Sequence, residues 1–96
     1  MSDTAEAPEQ GNQVPAPNAT TVLRYLVEQL VDEPDAVEIT AAEGGRRGGV
    51  RLDVHVAPGD MGRLIGKRGR TAQSIRTVVR AAATKDDVAV DVEFVD

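Results

Sequence analysis

Between residues 20 and 31 apolar side chains recur at helical spacing. Val22, Leu23, Leu26, Val27, Leu30 and Val31 form one stripe, and Arg24 and Glu28 sit one turn apart on another face. Thr20 or Thr21 is the expected cap. Asp32-Glu33-Pro34 is the expected stop, because a residue before proline avoids the helical region. The period then changes to two. Ala36 to Glu43 alternates weakly, with Val37 and Ile39 on one face. Val50 to Val56 alternates strictly, with Val50, Leu52, Val54 and Val56 facing inward and Arg51, Asp53 and His55 facing outward. Gly44-Gly45-Arg46-Arg47-Gly48-Gly49 reads as a hairpin connection between these strands.

Helical spacing returns after Pro58-Gly59-Asp60. A short helix is expected over Met61 to Ile65, with Asp60 as its cap, and Gly66-Lys67-Arg68-Gly69 interrupts it. A second helix is expected from about Arg70 to Thr84. Its apolar face is Ala72, Ile75, Val78, Val79 and Ala82, and its other face carries Gln73, Arg76, Thr77 and Arg80. Asp86-Asp87 is a turn, and Val88, Val90, Val92 and Phe94 alternate as a last strand. The order is helix, strand, strand, helix, helix, strand. The helical pair is long enough for a crossover, so the second and third strands can be parallel. The predicted fold is α/β (α+β), a three-stranded sheet with three helices on one face, which buries every apolar stripe named above.

Residues 1–18 differ from this pattern. They contain Pro8, Pro15 and Pro17, three acids and no basic residue, too little apolar surface to offset chain entropy. A disordered tail over 1–18 and a folded domain over 19–96 are the expectation. Cysteine is absent and His55 is the single histidine, which excludes a thiolate nucleophile and a His/Cys zinc cluster. Tyr25 and Phe94 are the two aromatic residues, so the core must be aliphatic and base stacking on aromatic platforms is essentially unavailable. No apolar run approaches the ~20 residues of a membrane span, and no secretory leader is recognisable. A cytoplasmic protein is the default expectation.

Charge sharpens the picture. The formal net charge of -5 argues against a nucleic-acid partner until the charges are placed. Residues 58–82 carry Arg63, Lys67, Arg68, Arg70, Arg76 and Arg80 against the single acid Asp60. Screening confines charge interactions to roughly 8 Å at physiological salt, so this cationic helix–loop–helix outweighs the distant acids for a nearby phosphate. At its centre, Gly66 and Gly69 let a sugar–phosphate chain approach the main chain. The amides opening the helix at Arg70 have no intrahelical partners and carry the positive end of the dipole. Lys67 and Arg68 sit at the tip.

This helix–Gly-x-x-Gly–helix resembles the KH domain in the form Ile-Gly-x-x-Gly, and the element order resembles its type II arrangement. The stretch from Val56 to Ala83, with Ala57-Pro58, Asp60-Met61-Gly62, Ile65-Gly66-Lys67-Arg68-Gly69-Arg70-Thr71 and Ile75-Arg76-Thr77, resembles the small bacterial single-KH-domain proteins of the KhpA family. The resemblance covers about residues 20–96. It implies binding of about four nucleotides of single-stranded RNA beside the loop. It also implies a role as an RNA chaperone or post-transcriptional regulator, a second KH protein of the KhpB type as partner, and a link to cell-wall homeostasis and cell-length control; a single small module would gain avidity from such a partner or from a homodimer. The expected RNA-binding set is Ile65, Gly66, Lys67, Arg68 and Gly69, with Arg70, Arg63, Arg76 and Arg80 as secondary contacts on the charged helix faces. Leu64 and Ile65 are expected in the core, with Ile65 also flooring an aliphatic base groove; with so few aromatic side chains, recognition would rest on hydrogen bonds and shape and give weak sequence specificity. No catalytic residue, metal or cofactor is expected. Gly62 to Arg68 misses the phosphate-binding P-loop spacing by one residue, and Arg68 stands where Ser or Thr should bind magnesium. Arg46, Arg47 and His55 read as solvated surface groups. The alternative is a protein-interaction adaptor whose KH fold mainly docks a partner.

Overall fold

The computed structural model describes residues 15–43 and 49–95. Residues 1–14, which make up most of the expected tail, lie outside the described residues, as do 44–48 with Arg46 and Arg47. Helix α1 spans Pro17–Leu30. Strands β1 (Glu38–Glu43) and β2 (Val50–His55) follow, then helices α2 (Met61–Ile65) and α3 (Arg70–Ala83), then strand β3 (Val90–Phe94). Single turns of 3-10 helix at Pro34–Ala36, Pro58–Asp60 and Thr84–Asp86 make the connections. The sheet order is β1-β2-β3, with β1 antiparallel and β3 parallel to β2. The sequence-derived element order and pairing are those observed.

The alternation of β2 works as expected: Val50, Leu52 and Val54 are buried and Arg51 is exposed. Val56 lies beyond the strand end and is only partly buried. Leu23 and Val27 from α1, Leu52 and Val54 from β2, Leu64 from α2, Val79 from α3 and Val92 from β3 are the largest fully buried side chains. The core is thus aliphatic and joins the helices to one face of the sheet, each such side chain contributing about 1.5–3 kcal/mol of burial.

Three expectations need correction. Helix α1 begins at Pro17, ahead of Thr20 and Thr21. Proline suits a first turn whose N–H groups have no partners, and the Thr20 amide already donates to the Ala16 carbonyl at 3.0 Å, as a helix-interior residue does. The cap comes from far away in sequence. The Asp86 carboxylate accepts from the Asn18 amide at 3.0 Å, the Ala19 amide at 2.9 Å and the Asn18 side chain at 2.8 Å. Secondly, Asp60 makes no capping bond to α2. It is buried, and its two oxygens accept from the Asp32 and Glu33 amides, each at 3.1 Å, so it fastens the entry to α2 onto the end of α1. Thirdly, Val78 is 47% exposed, and the buried stripe of α3 is Ala72, Ile75, Val79 and Ala83. Helix α1 covers only part of the apolar arc that the spacing predicted.

The Asp86 contact carries a pH dependence. Desolvation pushes its pKa up, but the hydrogen bonds from the Asn18 amide, the Ala19 amide and the Asn18 side chain together outweigh it and hold the carboxyl below its ordinary 3.8. A depressed folded pKa gives stability that is fully present above that ordinary value and is lost as pH falls through the folded one. Asp86→Ala therefore costs about 1 kcal/mol at neutral pH, the worth of a helix cap. The cost shrinks in acid below the ordinary carboxylate pKa. Urea unfolding of the parent and variant at neutral and acidic pH checks both statements.

Candidate nucleic-acid interface

The loop between α2 and α3 is shaped by its glycines. The Gly66 amide donates to the Gly62 carbonyl at 2.8 Å, closing α2, and a Cβ on Gly66 would stand 2.5 Å from that same oxygen. No side chain fits there. The Gly69 amide then donates to the Gly66 carbonyl at 3.0 Å, and Arg68 and Gly69 both adopt left-handed conformations, with φ of 60° and 76°. Gly69 takes this conformation without a steric penalty, whereas Arg68 is strained in it. Gly69 is also the residue that precedes α3. It has no side chain to cap the helix, so the amides of the first turn have no side-chain acceptor. A 14-residue helix thus opens on uncapped amides beside a cationic loop, the electrostatic arrangement that suits a phosphate.

The expected site residues separate into three places. Ile65, Gly66, Arg68, Gly69 and Arg70 gather at the loop, where Ile65 is 46% exposed instead of lying in the core, and Arg68 and Arg70 are exposed. Lys67 lies between them in the chain. Arg63, one turn before the loop, is held in an acidic clasp: its guanidinium lies 2.8 Å from Asp32 and 3.6 Å from the buried Asp60. Its charge is partly neutralised, and its observed contacts tie α2 to the end of α1. Arg76 lies on the other side of α3 and packs against β3. Its Nε donates to the Val92 carbonyl at 3.1 Å, its Nη1 donates to Gln73 Oε1 at 3.1 Å, and its guanidinium stands 5.4 Å from the Phe94 ring centroid. Arg80, one turn further on, approaches Asp91 at 4.0 Å. Sequence spacing placed Arg76 and Arg80 on one helix face but could not reveal the strand edge they meet.

Two grooves flank α3. One is apolar, lined by Leu26, Leu30, Ile75 and Val78 with Arg70, Thr71 and Ser74. The other, between α3 and β3, is polar and is lined by Gln73, Arg76, Arg80, Asp91, Val92 and Glu93. Aliphatic surface therefore lies on the α1 side of α3, and hydrogen-bonding groups occupy the β3 side.

The KH-domain family described as KhpA/KhpB matches residues 20–94, with the Gly-x-x-Gly loop inside that span. The chain belongs to this family. It is 45% identical over 74 residues to the RNA-binding protein KhpA of Caldanaerobacter subterraneus subsp. tengcongensis, spanning 77% of this chain and 96% of that protein. It is 43% identical over 74 residues to the RNA-binding protein KhpA of Clostridium acetobutylicum, again spanning 77% of this chain and 96% of that protein. Among solved structures, a crystal structure of Aquifex aeolicus Era aligns over 94% of this chain with a TM-score of 0.61 at 18% identity. A structure of Era in complex with MgGDPNP and nucleotides 1506–1542 of 16S ribosomal RNA aligns over 91% with a TM-score of 0.58, also at 18% identity. This chain spans 35% of either Era chain, and the likeness is one of fold. The type II KH arrangement expected from the element order is the arrangement observed. Among the described residues no helix is long and apolar enough to cross a membrane, and no group of three or more His, Cys, Asp or Glu is placed to hold a metal ion.

Proposed function

We propose that this KhpA-family chain binds single-stranded RNA at the Gly66–Gly69 loop, acting in the cytoplasm as an RNA chaperone or post-transcriptional regulator and not as an enzyme. The observation that carries the reading is the uncapped N-terminus of α3 behind a left-handed loop bearing Lys67 and Arg68. The amides and the two cations grip the phosphates, and Ile65 and Arg70 flank the strand. Family membership supports the same reading, since the relatives are named RNA-binding proteins.

A single small module gives modest affinity, and a second domain adds avidity. The reading therefore includes pairing with a KhpB-type protein or with a second copy of this chain. The apolar groove between α1 and α3, with Leu30 41% and Val78 47% exposed, is the surface that such a contact would cover. The link to cell-wall homeostasis and cell length belongs to the same proposal.

The deciding experiment is binding of a short labelled RNA measured from low to moderate salt, with light scattering on the same samples. Affinity should fall steeply as salt rises, because phosphate contacts release counterions. A flat salt dependence would overturn the phosphate-gripping role and favour the adaptor reading.

A further inference from the structure

The polar cleft beside β3 bears on base preference. Strand β3 is at the edge of the sheet, and its parallel register with β2 fixes which backbone groups remain available. The Val50 amide donates to the Ala89 carbonyl and the Val95 amide donates to the Val54 carbonyl, each at 2.9 Å. In a parallel ladder the odd-numbered residues from 89 to 95 thus face β2, and the main-chain groups of Val90, Val92 and Phe94 face the open edge. Helix α3 runs along that edge, leaving a cleft of about 450 Å³ lined by Gln73, Arg76, Arg80, Asp91, Val92 and Glu93. An open strand edge beside a nucleic-acid loop offers alternating donors and acceptors to a base. Here the central acceptor, the Val92 carbonyl, is already taken by Arg76.

Arg76 is not a freely moving charge. Val92, Gln73 and the Phe94 ring hold it from three directions, and its guanidinium carries more N–H groups than these contacts use. The cleft therefore presents fixed donors at its middle. The acceptor carboxylates are placed less favourably: Asp91 is engaged by Arg80, and Glu93 is exposed on the opposite alternation from Val92. Uracil and guanine present carbonyl oxygens at O4 and O6, where adenine presents an amine. The apolar groove on the other side of α3 has few polar groups with which to make such a distinction.

We infer that Arg76 sets the base preference of this interface: by covering the Val92 carbonyl it makes the cleft a donor surface that favours uracil and guanine over adenine. The inference rests on the RNA-binding reading above, and its test separates the two. Fluorescence anisotropy is measured with eight-nucleotide oligo(U) and oligo(A) on the parent protein and on four variants. Arg76→Ala and Arg76→Met (the latter keeping an apolar stem against Phe94) bare the carbonyl. Arg76→Lys can still reach it. Arg70→Ala removes a charge from the same helix but outside the cleft. Circular dichroism and melting confirm that each variant is folded.

The parent should bind oligo(U) several-fold more tightly than oligo(A). Arg76→Ala and Arg76→Met should lower that ratio by roughly fivefold, the worth of one hydrogen bond. Arg76→Lys should keep the parent ratio, and Arg70→Ala should weaken both oligonucleotides alike. Equal weakening of both by the Arg76 variants would reduce Arg76 to a phosphate contact and overturn the inference, as would a parent protein that does not discriminate. Failure of the parent to bind either oligonucleotide would remove the RNA-binding reading itself.

Discussion

Replacing Lys67 and Arg68 together by Asp is expected to abolish RNA binding while thermal melting stays close to that of the parent. The loss should be about a hundredfold or more, since two charge-assisted contacts become two repulsions. Stability should survive for a local reason. Arg68 occupies a left-handed conformation at φ 60°, and Asp tolerates that region better than a long side chain does. Neither substitution touches the buried stripe of α3, which lies at Ala72, Ile75, Val79 and Ala83. Cross-linking of the variant to cellular RNA, beside pull-down of the proposed KhpB-type partner, is the measurement. Lost RNA with retained partner places the contact at the loop. Undiminished RNA recovery would remove the site from the loop altogether.

The second large effect concerns folding. Asp60→Ala should destabilise the domain by about 2–4 kcal/mol, measurable as a lowered urea midpoint. Asp60 is 3% exposed and accepts two backbone amides, while Arg63 bridges it to Asp32 at the surface. Without the carboxylate, the Asp32 and Glu33 amides lose their acceptors and Arg63 keeps only its exposed partner. Asp60→Asn preserves the shape but offers one acceptor for two amides, so it should fall between the parent and Asp60→Ala. A midpoint for Asp60→Ala equal to that of the parent would mean that water replaces the carboxylate fully, and that the junction between α1 and α2 is looser than its geometry indicates.

The elements whose periods are regular were readable in the sequence. Alternation of valines in β2 and β3, the stripe from Val22 to Val31 and the proline stop at Pro34 gave the correct order and pairing, because these signals are local and redundant. The loop was readable for a similar reason: glycine and basic residue types at fixed spacing describe a backbone shape and a charge at once. What was not readable depends on pairs distant in sequence. Asp60 and Asp86 look like ordinary cap and turn residues, yet each satisfies amides of α1 or its C-terminal flank. Val78 fits the apolar arc of α3, but only the position of α1 decides which edge of that arc is covered. Arg76 reads from the sequence as a secondary RNA contact on an exposed helix face, until β3 is placed beside it and the Val92 carbonyl becomes its partner.

The Asp86 contact also constrains the order of events during synthesis. The Asn18 and Ala19 amides, at the start of α1, find their acceptor 68 and 67 residues later. Until the turn after α3 and the strand beyond it have been made, α1 lacks that acceptor and β2 lacks its parallel partner β3. The early helicity of α1 must then be marginal, since an isolated helix of this length is marginal in water. The domain should therefore become stable in one late step that joins its first and last helices, so a truncation just before the Thr84–Asp86 turn should remain largely unfolded despite containing the whole Gly-x-x-Gly loop.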